Sequence, residues 1–210
     1  MNRNEAEIGD RMTDAFDVVR QVYGETGLLM ETLDAIMAPD FANTFKVSDA
    51  VWYHSHAYNA GEKWLVTSVS RYWEKIGDRL RGVLVCIEFL PASRPFVSDC
   101  HGPLLTAMAL HLNCPVKQNN WKFQWRDRCG WDREAFDIDA AGAPFYRSIV
   151  RAESDLEGAA QLKSVHNFWL PLSALNDGNL NILLVKPLKM LALSGTVEPE
   201  MDAGSYLTLR

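Results

Sequence analysis

The sequence predicts an α+β fold, an antiparallel sheet with a long N-terminal helix and two or three shorter helices. Apolar residues recur at helical spacing over the first 38 positions, and segments rich in β-branched and aromatic residues fill the middle. Turn residues separate the predicted strands. Because no repeat or linker divides the chain, we expect one domain over residues 1–210, with sheet and shorter helices within 48–210.

The N-terminal helix is predicted by apolar residues that follow one another at alternating steps of four and three, which places them in one stripe along the side of a helix. A capping-box pattern opens it at Asn4, and Pro39 follows its last position. Gly24 and Gly27 each cost about 1 kcal/mol inside a helix, so a helical hairpin over residues 1–38 is the alternative. We favour a single helix because both glycines lie off the stripe.

The stripe also predicts a partner. It is longer than a chain of this size readily covers, so we expect a homodimer formed through the helix. The alternative is that the helix packs on the sheet of its own domain. The residues assigned to the dimer contact are Ile8, Val19, Val22, Leu29, Leu33 and Ile36.

A hairpin is predicted next. Residues 64–75 are rich in β-branched and aromatic side chains, and 82–90 form an apolar run after a turn at Gly77. Residues 103–113 then fit a short buried helix, with Pro103 at its first position.

The C-terminal half predicts one strand, one helix and a second hairpin. The strand is predicted over residues 121–125 by alternating aromatic side chains, and a capping box at Ser154 opens the helix. Residues 164–170 and 180–186 fit paired strands, joined by a turn at 176–178.

This second hairpin carries a resemblance. A strand ending in Leu170-Pro171-Leu172, a polar turn and a hydrophobic strand together are similar to the last hairpin of GAF-type sensor domains. The resemblance implies no ligand-site residues.

Composition and charge exclude several classes of protein. With 48% hydrophobic residues the chain is not disordered, and a net charge of -6 disfavours general nucleic-acid binding. No segment approaches the roughly 18 apolar residues of a membrane span, and the N-terminus resembles no leader peptide. We therefore expect a soluble cytoplasmic protein. Its four cysteines include no closely spaced pair, so we expect reduced thiols.

His54 and His56 form a candidate metal site. In an extended segment, alternate side chains point to the same face, so both imidazoles can reach one ion. Further ligands from elsewhere in the chain are required to complete such a site. The alternative is a pair of histidines in a surface loop.

Asp99, Cys100 and His101 form a candidate catalytic site. They precede the helix predicted from Pro103, and a helix N-terminus lowers the pKa of a nearby thiol. Cys100 would be the nucleophile, with a base from another segment. The alternative is that Asp99 caps the helix and Cys100 is half-buried.

A segment of interleaved aromatic and basic residues is a candidate ligand or nucleic-acid surface. Aromatic rings stack on bases while cations hold phosphates. The alternative is a core strand followed by a solvated loop. The candidate residues are Trp121, Trp125, Arg126, Arg128 and Trp131.

Three functions remain open. No phosphate loop, dinucleotide fingerprint or nucleophile elbow is present, so we favour a non-enzymatic ligand- or partner-binding domain of the sensor or adaptor type. The second is a hydrolase using the histidine metal site or the Cys100 thiolate, and the third is single-stranded nucleic-acid binding.

Three further titratable residues lie in predicted elements. In the predicted strand 82–90, Glu88 needs a partner if it is buried; the alternative is that it faces solvent. His111 and His166 fit core histidines.

Overall fold

The structure is a computed structural model that describes residues 3–41, 44–55, 66–89, 102–115, 133–139, 144–152, 154, 161–195 and 205–207. The chain falls into two compact units, Met1–Pro39 and Asp40–Arg210. Helices and an antiparallel sheet are both present, so the predicted α+β class is confirmed.

Helix α1 spans Arg3–Phe41 as one continuous helix of 39 residues. The single long helix is therefore confirmed over the hairpin alternative. At 1.5 Å per residue it is about 58 Å long. Local pairs support it: Gln21 donates to Glu25 at 2.8 Å, and Arg20 pairs with Asp17.

In the described part of the second unit, seven antiparallel strands form one sheet, in the order β1-β2-β3-β4-β7-β6-β5. After β4, the next strand, β5, lies at the edge of the sheet farthest from β1. Strand β6 pairs with β5, and β7 then lies between β6 and β4. The strands are β1 Phe45–Ser55, β2 Val66–Lys75, β3 Arg81–Glu88, β4 Leu104–Leu112, β5 Phe136–Asp139, β6 Tyr146–Val150 and β7 Leu162–Pro171.

The first predicted hairpin is confirmed. Strands β2 and β3 pair in antiparallel register from Ser68 opposite Glu88 to Glu74 opposite Gly82. The turn contains Gly77 at φ 78°, a left-handed conformation that favours glycine.

The helix predicted over residues 103–113 is wrong, because this segment is strand β4. Almost every residue of β4 is buried, and the strand lies in the interior of the sheet between β3 and β7. An apolar run without alternation is compatible with either a buried helix or a central strand. Pro103 precedes the strand, where its missing N–H removes no ladder hydrogen bond within β4.

The strand predicted over 180–186 is also wrong. A π-helical segment spans Asn181–Val185 and continues into helix α2, Lys186–Ser194. Pro187 lies in the first turn of α2, where its missing N–H is tolerated. The chain therefore turns away from the sheet after β7, and the GAF-like hairpin is absent from this part of the structure.

The predicted turn before this helix is present. The backbone N–H groups of Gly178 and Asn179 donate to Asn176 Oδ1 at 2.9 and 3.2 Å. In the described part of the chain, α2 is the one shorter α-helix, accompanied by a 3₁₀ turn at Leu172–Ala174. The helix predicted from Ser154 lies outside the described residues except for Ser154 itself.

The sheet has two different faces. On one face, α2 packs on β3 and β4, and Ala109 of β4 lies beside the last turn of the helix. Because side chains alternate along a strand, the neighbouring residues Met108 and Leu110 point to the opposite face. That face carries a core cluster of Tyr72, Leu84, Met108, Leu110, Leu112, Ala135, Phe136, Leu162 and Val165.

A C-terminal segment, residues 205–207, fixes the start of the second helix. The Tyr206 hydroxyl donates to the Leu183 carbonyl of the π-helical segment at 2.9 Å. Its ring lies 5.2 Å from Phe145 and 5.5 Å from Phe168, centroid to centroid. Leu207 N donates to the Trp169 carbonyl on β7. These contacts position α2 over the sheet.

Candidate ligand-binding pocket

A pocket of about 200 Å³ lies where the C-terminal end of α2 meets the sheet. Strands β3, β4, β6 and β7 supply its polar side chains, and the last turn of α2 supplies one wall. Its lining residues are Arg81, Ala109, Leu110, His111, Arg147, Ser164, His166, Leu191, Ala192, Leu193, Ser194 and Gly195.

Strand register brings the polar residues together. Arg81 lies opposite His111 on the neighbouring strand, and His111 lies opposite Ser164. Two residues along β7, His166 lies opposite Arg147 on β6. Directly opposed and alternate residues share one face of an antiparallel sheet. Side chains from four strands therefore converge under α2, although they are widely separated in sequence.

Both histidines of the pocket favour the neutral form. Burial lowers the pKa of His111 from its ordinary 6.5, and the charges of Lys163 and Arg81 lower it further. Burial also lowers the pKa of His166, aided by Arg147 and opposed by Asp139. At neutral pH each imidazole therefore offers one N–H donor and one nitrogen acceptor.

The two arginines differ in their surroundings. Arg81 pairs with Asp78, Nε to Oδ2, at 3.4 Å. Arg147 lies opposite Asp139 in the β5–β6 register, and no ion pair to Arg147 occurs among the described residues. Among the described residues that line the pocket, none is acidic. The described part of the site is therefore rich in hydrogen-bond donors and includes two positively charged arginines.

The end of α2 shapes the wall beside His166. Gly195 ends the helix in a left-handed conformation, φ 74°, and its N–H donates to the Leu191 carbonyl at 3.0 Å. A Cβ at Gly195 would lie 3.5 Å from His166 Cε1, which is ordinary contact. Any other residue would be strained here by φ rather than by space. Ser194 Oγ is engaged with the Met190 carbonyl at 2.8 Å.

The candidate metal and catalytic sites stay predictions, because their side chains lie outside the described part of the structure. His54 lies in β1 opposite Ser68, and its side chain is not among those described. Outside the described residues lie His56, Asp99, Cys100 and His101. Among the described residues no three metal-ligating side chains cluster.

The expectation that a helix N-terminus at Pro103 lowers the pKa of the Cys100 thiol is wrong. The segment after Pro103 is strand β4, so its start offers no helix dipole or free helical amides to lower the thiol pKa. The thiolate site itself stays a prediction. Of the cysteines in the described part, Cys86 is buried and Cys114 exposed, and neither forms a disulfide there.

The aromatic and basic candidate surface lies outside the described residues. This applies to Trp121, Trp125, Arg126, Arg128 and Trp131, so ligand or nucleic-acid binding by that segment stays a prediction.

Glu88 is buried, and the solvent-facing alternative for it is wrong. It is 7% exposed, and Thr106 Oγ1 on β4 donates to its Oε1 at 3.4 Å. The predicted need for a partner is therefore met at least in part by a neighbouring strand.

Sequence reasoning missed most of this pocket. His111 and His166 were expected to be core histidines, yet both are partly exposed and line the pocket. No sequence signal marks Arg81, Arg147 and Ser164 as site residues, because each is an ordinary strand residue by itself. Only the pairing register would have grouped them.

None of the helices in the described part of the chain combines the length and apolarity that a membrane span requires. The sequence matches no protein-family model and no curated protein, and the structure matches no solved structure.

Proposed function

We propose that the protein is a ligand-binding domain, of the sensor or adaptor type, and that its binding site is the pocket beneath the end of α2. One observation carries this proposal: two histidine and two arginine side chains from four strands converge on one pocket. Convergent polar groups with perturbed pKa values in a cavity are typical of binding sites.

The dimensions of the pocket restrict its ligand. At about 200 Å³ it is smaller than the roughly 300–1,000 Å³ pockets that hold drug-sized molecules. Since a water molecule occupies about 30 Å³ of the liquid, the pocket accommodates a small metabolite or a single polar group of a larger one.

Small-molecule probes test the proposal by NMR. Acetate, sulfate, methylammonium and urea, each titrated at constant ionic strength, cover anionic, cationic and neutral chemistry. We expect at least one probe to shift the ring resonances of His111 and His166 saturably. Ala192→Leu, which adds bulk to the pocket wall on α2, should abolish that response.

The matched control is Lys186→Leu, which introduces the same side chain on the same helix, at an exposed position outside the pocket lining. It should leave the titration unchanged. If no probe shifts either imidazole, or if Ala192→Leu and Lys186→Leu behave alike, the pocket is not the binding site.

We also propose that two copies associate through α1. The support is that α1 is unbroken, so the predicted stripe runs along one side of a single helix. In sedimentation velocity, Val19→Glu or Leu29→Glu should shift a dimer to monomer without unfolding the sheet. Leu28→Glu is the matched control, because Leu28 is 64% exposed and lies off the stripe. A wild-type monomer at high concentration would contradict the dimer.

A further inference from the structure

The chemistry of the pocket selects among ligands. Its polar side chains are two arginines, two histidines and two serines. The arginines, the histidines and Ser164 can donate hydrogen bonds to a ligand, whereas the Ser194 hydroxyl already donates to the Met190 carbonyl. Asp78, which pairs with Arg81, and Asp139, which lies opposite Arg147 in the strand register, are not among the residues that line it. In the described lining a cationic ligand would meet positive charge with no carboxylate to offset it, whereas an anion would meet several donors.

We propose that this pocket binds a small oxyanion, a carboxylate or a tetrahedral group such as sulfate or phosphate, and that binding is coupled to protonation of His166. The inference rests on the proposed function of the pocket. Arg147 is the principal cation, because it lies opposite His166 and makes no ion pair among the described residues. Arg81 contributes less, since Asp78 already neutralises part of its charge.

The coupling follows from the groups that face His166. Arg147 on β6 opposes its protonation, Asp139 on β5 favours it, and burial opposes it. On β4, the nearest titratable residue is His111, which is itself held neutral by burial, Lys163 and Arg81. The lining residues of α2 from Leu191 to Gly195 carry no charge.

An oxyanion seated between Arg147 and His166 changes this balance. It offsets the arginine charge and accepts a hydrogen bond from the protonated ring, so it raises the pKa of His166 from its lowered value. Binding therefore takes up a proton. Affinity should rise as pH falls, by up to about tenfold per pH unit for one proton.

Calorimetric titration between pH 5.5 and 8.0 tests both parts of the inference. Sulfate is the principal probe, because its charge is constant over this range and any pH dependence belongs to the protein. Acetate distinguishes carboxylates from tetrahedral anions, and urea and methylammonium are the neutral and cationic arms. We expect sulfate, acetate or both to bind more tightly at pH 5.5 than at pH 8.0.

Variants assign the effect to residues. Arg147→Gln should weaken anion binding by about ten- to a hundredfold at every pH. His166→Gln keeps a polar side chain without a titrating ring, so binding should lose its pH dependence. Lys186→Gln removes one positive charge from an exposed position on α2 outside the pocket and should change neither property.

The outcomes separate this inference from the proposed function. If urea or methylammonium binds and neither anion does, the pocket is a binding site but the oxyanion inference is wrong. Anion binding that is independent of pH in the wild type overturns the protonation coupling, whether or not the variants fold. If no probe binds, the proposed function is wrong as well.

Discussion

Substituting Gly82 by alanine should destabilise the protein, although alanine is usually better tolerated within a strand. Gly82 lies in β3, diagonally across from Tyr72 of β2. An added Cβ would lie 2.5 Å from Tyr72 Cζ and closer still to the ring carbon Cε2 and the hydroxyl. The tyrosine ring thus covers the backbone of the glycine, an arrangement that pins strand register.

The magnitude follows from how far the ring can yield. Tyr72 is fully buried in the core cluster with Leu84 and Met108, so it cannot swing into solvent. Forcing extra volume into a packed core costs about 1–3 kcal/mol. The lower conformational entropy of an unfolded chain with alanine returns about 0.5–1 kcal/mol. Because the ring has no room to yield, we expect the cost to exceed the return, so that Gly82→Ala lowers the free energy of unfolding by about 1 kcal/mol and at most by about 2.5 kcal/mol.

Urea denaturation followed by tryptophan fluorescence measures this loss. Gly102→Ala is the matched control, since an added Cβ there meets no atom within 4 Å in the described structure. Its effect should stay within about 0.5 kcal/mol.

A double-mutant cycle tests the cause. Tyr72→Leu removes the ring, so adding Gly82→Ala in that background should cost little or even stabilise. If Gly82→Ala destabilises equally in both backgrounds, or is neutral in the wild type, the close approach of Tyr72 to Gly82 is not the reason for the glycine.

Three further predictions concern buried and titrating groups. Thr106→Val removes a hydroxyl that donates to buried Glu88, and should lower the free energy of unfolding by about 1–3 kcal/mol; an equal loss in a Glu88→Leu background would contradict this. Because the folded-state pKa of His166 lies below the unfolded value of 6.5, its contribution to stability is fully present above pH 6.5 and is lost as pH falls from there through the lower folded-state pKa. Urea denaturation from pH 5 to 8 should therefore show a shallower decline for His166→Gln, and an identical decline would refute the burial argument. A metal site at His54 and His56 predicts about one equivalent of bound metal by mass spectrometry, lost in the double mutant; metal-free protein would exclude it.

Local sequence signals predicted the elements that have local causes. The β2–β3 hairpin follows from β-branched and aromatic residues on both sides of Gly77, whose left-handed backbone needs glycine. Strand β7 was likewise predicted, to within a few residues, from an apolar and aromatic run. The length of α1 follows from its stripe, because both interior glycines lie off it.

The two wrong element predictions, a helix over 103–113 and a strand over 180–186, have the same physical origin. An apolar run that is buried on all sides shows no period, so β4 and the π-helical segment at 181–185 each fit helix or strand equally well. Pro187 was the one available signal for a helix start after 180, because proline is typical of a first helical turn and disfavoured inside a sheet. At Thr106 and Ala107 in β4, the choice between helix and strand depends on the position of the segment in the sheet, where it pairs with β7, and not on the local sequence.

The pocket could not be predicted from sequence. Its polar residues belong to four strands, and their meeting depends on an order in which β4 pairs with β7 rather than with β5. His111 and His166 stand opposite Ser164 and Arg147 only because of that order. No local sequence pattern indicates which strands pair when they are distant in the chain.

The central claim is that His166 lies in a partly desolvated pocket beside Arg147 and takes up a proton when an anionic ligand binds there. The most direct measurement is the NMR titration of the His166 ring, in the free protein and at saturating sulfate. The pocket predicts a pKa below 6.5 in the free protein and a higher pKa with sulfate. A free pKa at or above 6.5, or one that sulfate leaves unchanged, would contradict it.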